Sequence, residues 1–244
     1  MPGNRLVAGT KVTRGGATVA RLVHTQQVAG SIPAPATMAK VSKLILPGPL
    51  HHQQAVLASS ARFNLVRAGR RWGKSRMSLL AALLGWGDKG QRRGAIQGGE
   101  ILWLCPDYPQ SRAIWREEIE PRCKGVLGIT VREQERRVEF PGGGALELRS
   151  AEAIDGIRGR RLDGVVVDEG AHLDLEYAWT VVLRPALLDR AGWALFPSTP
   201  NAGQDGNAAK RAPSYFNVLC AREIRGELGR DWAQFIGKTE ETAP

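Results

Sequence analysis

The chain has 244 residues with 43% hydrophobic and 24% charged side chains, proportions that fit one large α/β domain or two small ones and exclude a disordered or fibrous chain. No apolar run approaches the ~20 residues of a membrane-spanning helix. The three cysteines, Cys105, Cys123 and Cys220, are too scattered for a disulfide framework or a metal-ligand pair and suit a reducing interior. The net charge of +10 is uneven: residues 1–87 hold twelve Lys/Arg and no acid, leaving 22 basic against 24 acidic residues in the remainder. A basic end of this kind suits a polyanionic partner, a nucleic acid or a nucleotide.

Residues 1–37 sustain neither helical nor strand periodicity and are expected to form a disordered leader. They lack the compact apolar stretch of a secretory signal, and the Pro-rich end Gly30-Ser31-Ile32-Pro33-Ala34-Pro35 gives no amphipathic transit helix. Gly-Ser-Ile-Pro is also what the T-arm of a transfer RNA gene encodes when translated in that frame. Two readings therefore stay open: a disordered basic tail, or a read-through with the true start at Met38. The globular domain is assigned to residues 38–244.

Phe63–Arg67 reads as a strand that runs into Ala68-Gly69-Arg70-Arg71-Trp72-Gly73-Lys74-Ser75 and then a helix with Met77, Leu79, Leu80, Ala82, Leu83 and Leu84 on its apolar side. This is the strand–loop–helix context of the phosphate-binding pattern G-x-x-x-x-G-K-[ST]. Inward-facing backbone N–H groups and the helix N-terminus would cradle phosphate, Lys74 would reach the β- and γ-phosphates, and Ser75 would hold Mg²⁺. Ala68 stands where the pattern has its first glycine, a departure that weakens the match.

Leu162-Asp163-Gly164-Val165-Val166-Val167-Asp168-Glu169 is a continuous apolar run ending in two carboxylates, the profile of a central parallel strand. Side chains alternate along a strand, so the two acids should not share one metal. Asp168 is assigned to the Mg²⁺ shell, and Glu169 to orienting and deprotonating the attacking water. A next strand, Trp193–Phe196, ends in Pro197-Ser198-Thr199-Pro200-Asn201, which places hydroxyls where a γ-phosphate can be sensed.

In order along the chain stand Leu50-His51-His52-Gln53-Gln54, the phosphate loop, Trp103-Leu104-Cys105-Pro106-Asp107-Tyr108-Pro109-Gln110 and Ile157-Arg158-Gly159. Val167-Asp168-Glu169-Gly170-Ala171-His172, Leu183-Arg184-Pro185-Ala186-Leu187 and Ser198-Thr199-Pro200-Asn201 follow. Together they resemble the ATPase domain of a large terminase subunit, the motor that packages DNA into tailed-phage and related capsids. The resemblance spans roughly residues 50–236. It implies a three-layer α/β P-loop fold, RecA-like and of the additional-strand catalytic-glutamate type, with a mostly parallel sheet. Its strands are expected near 63–68, 101–105, 162–167 and 193–197, with hairpins over 129–149.

The resemblance further implies ATP and Mg²⁺ as cofactors, with Gly69, Arg70, Arg71, Trp72, Gly73, Lys74 and Ser75 around the nucleotide. Gln54, or Gln53, would contact adenine. Arg70 would lie near the γ-phosphate, Arg158 would act on a neighbouring subunit's ATP, and Ser198 and Thr199 would couple hydrolysis to movement. Trp72 either stacks on the nucleotide or packs the loop. The implied partners are double-stranded DNA, contacted through phosphate, a homo-oligomeric ring at a capsid portal and a small terminase subunit. No membrane is implied, and the setting is the cytoplasm of a bacterial host.

Large terminases carry a metal-dependent nuclease domain after the motor. The acids after Asn201, namely Asp205, Glu223, Glu227, Asp231, Glu240 and Glu241, lie on a stretch too short for another fold. No nuclease activity is expected, and the product reads as truncated or split. The rival readings are a non-catalytic nucleotide-binding remnant of a decayed prophage and another nucleic-acid-dependent ATPase.

Overall fold

Apolar runs rich in branched and aromatic residues form strands that can be buried on both faces, and they supply the middle of the sheet. The structure, a computed structural model, describes residues 8–12, 17–22, 42–87, 91–199 and 213–238. The strands are β1 (Ala8–Val12), β2 (Ala17–Leu22), β3 (Ser42–Pro47), β4 (Phe63–Ala68), β5 (Glu100–Cys105) and β6 (Thr130–Arg132). They continue with β7 (Arg137–Glu139), β8 (Ala145–Ser150), β9 (Gly164–Val167), β10 (Trp193–Ser198) and β11 (Trp232–Gly237). The main sheet runs β11-β4-β10-β9-β5-β8-β7-β6. Its first six strands are mutually parallel, and β7 and β6 fold back antiparallel on β8.

Period-two alternation sends successive side chains of the central strands into two cores. Leu65, Leu102, Leu104, Val165, Val167 and Phe196 meet Trp179 and Phe216 on one face. Val66, Trp103, Val166, Trp193 and Leu195 meet Met77, Leu80 and Leu83 on the other. The short α1 (Gln54–Leu57) precedes β4, and α2 (Lys74–Leu84) follows it. α2 is buried around most of its circumference, which is why its apolar residues fill more than one stripe.

Two helical stretches change pitch in the middle. α3 (Tyr108–Ile114) runs through a π-turn at Trp115–Ile119 into α4 (Glu120–Cys123), and α5 (Leu175–Tyr177) runs through Ala178–Leu183 into α6 (Arg184–Ala186). In both cases a proline, Pro121 or Pro185, follows directly. Its ring crowds the carbonyl four residues back and it has no N–H to donate, so the preceding turn widens. The last helix, α7 (Tyr215–Ile224), buries Phe216, Leu219 and Cys220 under the sheet and precedes β11.

The four expected strands are present, the third of them shorter. Leu162 and Asp163 lie outside β9, their amides donating to Ala186 O and Glu100 O at 2.9 Å each. The 129–149 segment does form a hairpin in β6 and β7, but its third strand, β8, also pairs parallel with β5 and belongs to the sheet. Within the leader, the described segments β1 and β2 pair antiparallel, and β2 pairs with β3. β-branched Thr and Val occur in both strands, and the ladder is completed by a partner that local periodicity cannot show.

Candidate active site

β4 ends at Ala68, and the chain then turns through Gly69–Gly73 before α2 begins at Lys74. Arg71 and Gly73 adopt left-handed backbone, with φ of 65° and 86°. A Cβ on Gly73 would lie 2.6 Å from the Gln53 amide nitrogen, so conformation and space both require glycine there. Gln53 is fully buried and staples the loop: its Nε2 donates to Trp72 O (3.3 Å) and Gly73 O (3.0 Å), while its Oε1 accepts from Leu50 N at 3.1 Å. His52 Nε2–H also donates to Trp72 O, at 3.0 Å. Trp72 is buried and packs against β11, where a Cβ on Gly237 would come within 2.1 Å of its indole nitrogen. A cleft of about 520 Å³ opens beside the loop, lined by His51, His52, Trp72, Phe235 and Ile236.

Lys74 leans across the sheet edge. Its ammonium donates to Ala68 O (3.2 Å), Gly69 O (3.3 Å) and Thr199 Oγ1 (2.8 Å), and it lies 3.3 Å from Glu169 Oε1. Glu169 accepts from the Thr199 amide at 2.8 Å and the Thr199 hydroxyl at 2.9 Å. Ser198 Oγ approaches Glu169 Oε2 at 3.4 Å and accepts from Ala171 N at 3.1 Å. Burial opposes the charge on Glu169, but the Thr199 amide and the Lys74 ammonium outweigh it and hold the carboxyl below its usual range.

Asp168, immediately before, is almost fully buried at the end of β9. Desolvation first, and the Glu169 charge second, push its carboxyl up to about 7 against the pull of Lys74. The two acids are separated by a left-handed turn at Glu169, φ 44°, a conformation that costs a non-glycine residue roughly 1–3 kcal/mol and is typical of strained functional positions. Both acids lie just past the end of β9, so the turn and not strand alternation sets their directions. The strained turn that carries Glu169 to Thr199 has no sequence signal.

The fold therefore brings Lys74, Asp168, Glu169, Ser198 and Thr199 together, with Ser75 in the first turn of α2. Of the other candidates, Arg70 and Arg71 belong to the loop itself and are exposed, and Gln54 is exposed in α1. Arg158 lies on an exposed loop, where it donates to Asp155 Oδ1 at 2.9 Å and to the Tyr177 hydroxyl. The glutamine that meets the loop is Gln53, whose amide is spent on the loop carbonyls. A buried glutamine twenty residues before a glycine-rich turn gives no local pattern that distinguishes it from its exposed neighbour.

Among the described residues no group of three or more His, Cys, Asp or Glu could hold a metal ion. One hydroxyl and one buried carboxylate suit Mg²⁺, which takes few protein ligands and fills its shell with water and substrate phosphates. They do not suit a transition metal.

A strand–loop–helix whose helix opens on Lys74-Ser75, the strand β9 leading to Asp168–Glu169, and a further strand, β10, lying between β4 and β9 match the additional-strand class of P-loop NTPase fold. Within that class the chain resembles the N-terminal ATPase domain of phage large terminase subunits. It is 29% identical over 171 residues to the large terminase subunit of Thermus phage G20c, a match covering 62% of this chain and 34% of that protein. The chain thus spans about a third of the length of the curated relatives it matches. The ATPase domain of the Thermus phage P74-26 large terminase superposes with a TM-score of 0.55 at 22% identity, covering 78% of this chain and 81% of that one. The large terminase of another thermophilic bacteriophage, solved in complex with ADP, gives 0.50 at 15% identity, covering 80% and 46%. No protein-family model matches the chain.

Proposed function

We propose that this chain is the ATP-hydrolysing part of a double-stranded DNA translocating motor of the terminase type. The observation that carries the reading is the convergence of Lys74, Glu169 and Thr199, from three separate elements, on one point at the carboxyl edge of a parallel sheet. Ligands of open α/β sheets bind at that edge.

In this reading the backbone of Gly69–Gly73 and the N-terminus of α2 receive the phosphates, and the base enters the cleft between His52–Trp72 and Phe235–Ile236. Lys74 already makes four contacts that a γ-phosphate would replace. Once it turns to phosphate, Glu169 loses its strongest cationic partner and is free to accept a proton from water. Ser75 and Asp168 would hold Mg²⁺, which neutralises phosphate charge when bound. Thr199 bonds both Lys74 and Glu169, so exchanging one partner for phosphate moves the other and the end of β10 with it. Arg158, exposed and held by Asp155 and Tyr177, would act on a neighbouring subunit's ATP. The portal, the small subunit and the ring belong to the whole motor and are part of the same proposal.

Steady-state hydrolysis by wild type and Glu169→Gln, with and without Mg²⁺ and duplex DNA, tests it. The variant should retain nucleotide and lose about 10²–10⁴-fold in kcat, the usual contribution of a general base. Equal inertness of both proteins, with nucleotide still bound, would replace the motor reading with a non-catalytic nucleotide-binding one.

A further inference from the structure

The opposite edge of the sheet holds a second cleft, of about 540 Å³, lined by Gln91, Arg92, Arg93, Asp163, Arg190 and Trp193. It lies at the amino ends of β9 and β10, whereas the phosphate loop, Glu169 and Thr199 lie at their carboxyl ends. It is therefore a separate site. Three arginines and one carboxylate line it, and that carboxylate is already engaged: Asp163 Oδ2 accepts from Glu100 N at 2.9 Å and from Arg190. Arg92 donates through Nη2 to Ser60 O at 3.2 Å, while its Nε–H is buried and has no hydrogen-bond partner among the described residues. Arg93 is exposed, and its carbonyl accepts from Trp193 Nε1 at 2.7 Å, which fixes the backbone from which its side chain projects.

The geometry points to a binding site for a phosphate of a nucleic-acid backbone, held by Arg92, Arg93 and Arg190 and distinct from the nucleotide site. Planar guanidinium forks match a tetrahedral oxyanion with several acceptor oxygens. The concave, polar walls exclude a large apolar partner. That the phosphate belongs to duplex DNA rests on the motor reading above. The site has a direct route to the chemistry. β9 begins beside Asp163 and leads to Asp168–Glu169, and β10 begins at Trp193 and leads to Ser198–Thr199, rods of roughly 13 and 20 Å at about 3.3 Å per residue. A load on the cleft is carried by the same two strands that hold the catalytic and coupling residues.

The test is binding of a fluorescent duplex of ~20 base pairs to the full chain, by anisotropy at several salt concentrations. Arg93→Glu is compared with Arg116→Glu, the same charge change at an exposed position of the α3–α4 segment. Thermal melting shows that both fold, as expected since the Trp193–Arg93 bond uses only main chain. Arg93→Glu should weaken binding about 5–10-fold beyond the control and lower the slope of log K against log salt by about 1–2. Equal losses in the two variants would overturn the site and leave the ATPase untouched. Arg93-dependent binding in a protein that does not hydrolyse ATP would keep the site and remove the motor. Arg93-dependent binding of polyglutamate in place of DNA would overturn it in favour of an acidic protein partner.

Discussion

Asp168 is a carboxylate placed where charge is unwelcome, and that placement has a measurable consequence. Its carboxyl, ordinarily near 3.8, is raised to about 7 in the folded protein, chiefly by burial. Its contribution to stability is therefore fully present below pH 3.8, where both states are protonated, and is lost as pH rises through 7. Asp168→Asn keeps the acceptor used by the Glu169 amide (3.1 Å) and removes the charge. In the absence of nucleotide and Mg²⁺ the variant should melt higher than wild type at pH 8, by up to roughly 4 kcal/mol, with the gain vanishing toward pH 4. A gain independent of pH would show that desolvation of the carboxylate is not the cause. Gly73 gives a second prediction. Gly73→Ala forces a side chain into left-handed backbone and against Gln53, at a cost of roughly 1–3 kcal/mol in unfolding free energy. Adding Gln53→Ala should relieve the steric part and leave the conformational part.

At the scale of elements, β10 joins the machinery to the core. Phe196, fully buried, meets Trp179 edge-on at 5.0 Å and stacks with Trp232 of β11 at 5.8 Å. Phe196→Ala should lower unfolding free energy by about 3–5 kcal/mol, read as a shift of the urea midpoint at unchanged slope. A much smaller loss would mean that the aromatic cluster closes over the cavity. The segment before β9 is held differently. Arg160, which reads in sequence as part of a basic loop, bonds Glu100 at 2.8 Å and the buried Glu147 at 2.9 Å. Arg137 binds the same two acids from β7. These arginines balance charge inside the fold, whereas Arg92, Arg93 and Arg190 line the second cleft.

For the molecule as a whole, the second sheet makes the leader testable. β3 buries Leu44 and Leu46 in the main core and leaves Ile45 63% exposed, and its named ladder partner is β2. A chain beginning at Met38 should keep β3 seated through those leucines while its amides between Ser42 and Pro47 exchange with solvent much faster than in the full chain. Hydrogen exchange on the two chains decides this. Equal protection would mean that the leader adds nothing to β3, which would favour Met38 as the functional start. Among the described residues no helix is long and apolar enough to cross a membrane.

The local chemistry was legible in the chain. Gly73-Lys74-Ser75 after a strand reads as a phosphate-binding pattern ahead of a helix, and strand, turn and helix do follow in that order. Val165-Val166-Val167 before Asp168-Glu169 could only be a strand buried on both faces, and the boundaries of β4, β5 and β10 follow from the same apolar runs. What sequence could not supply is everything that depends on partners far along the chain. Periodicity is a property of neighbours, so it missed β11, placed β8 in a hairpin alone, and left the leader without strands. It could not separate Gln53 from Gln54, because burial against a loop twenty residues away decides between them. The motifs assigned Lys74, Glu169 and Thr199 to one phosphate, but not the hydrogen bonds they make to one another, and nothing showed that Arg92, Arg93 and Arg190 line one cleft. Sequence determines which residues can do chemistry and which strands must be buried. The order in which parallel strands lie side by side decides which of those residues meet.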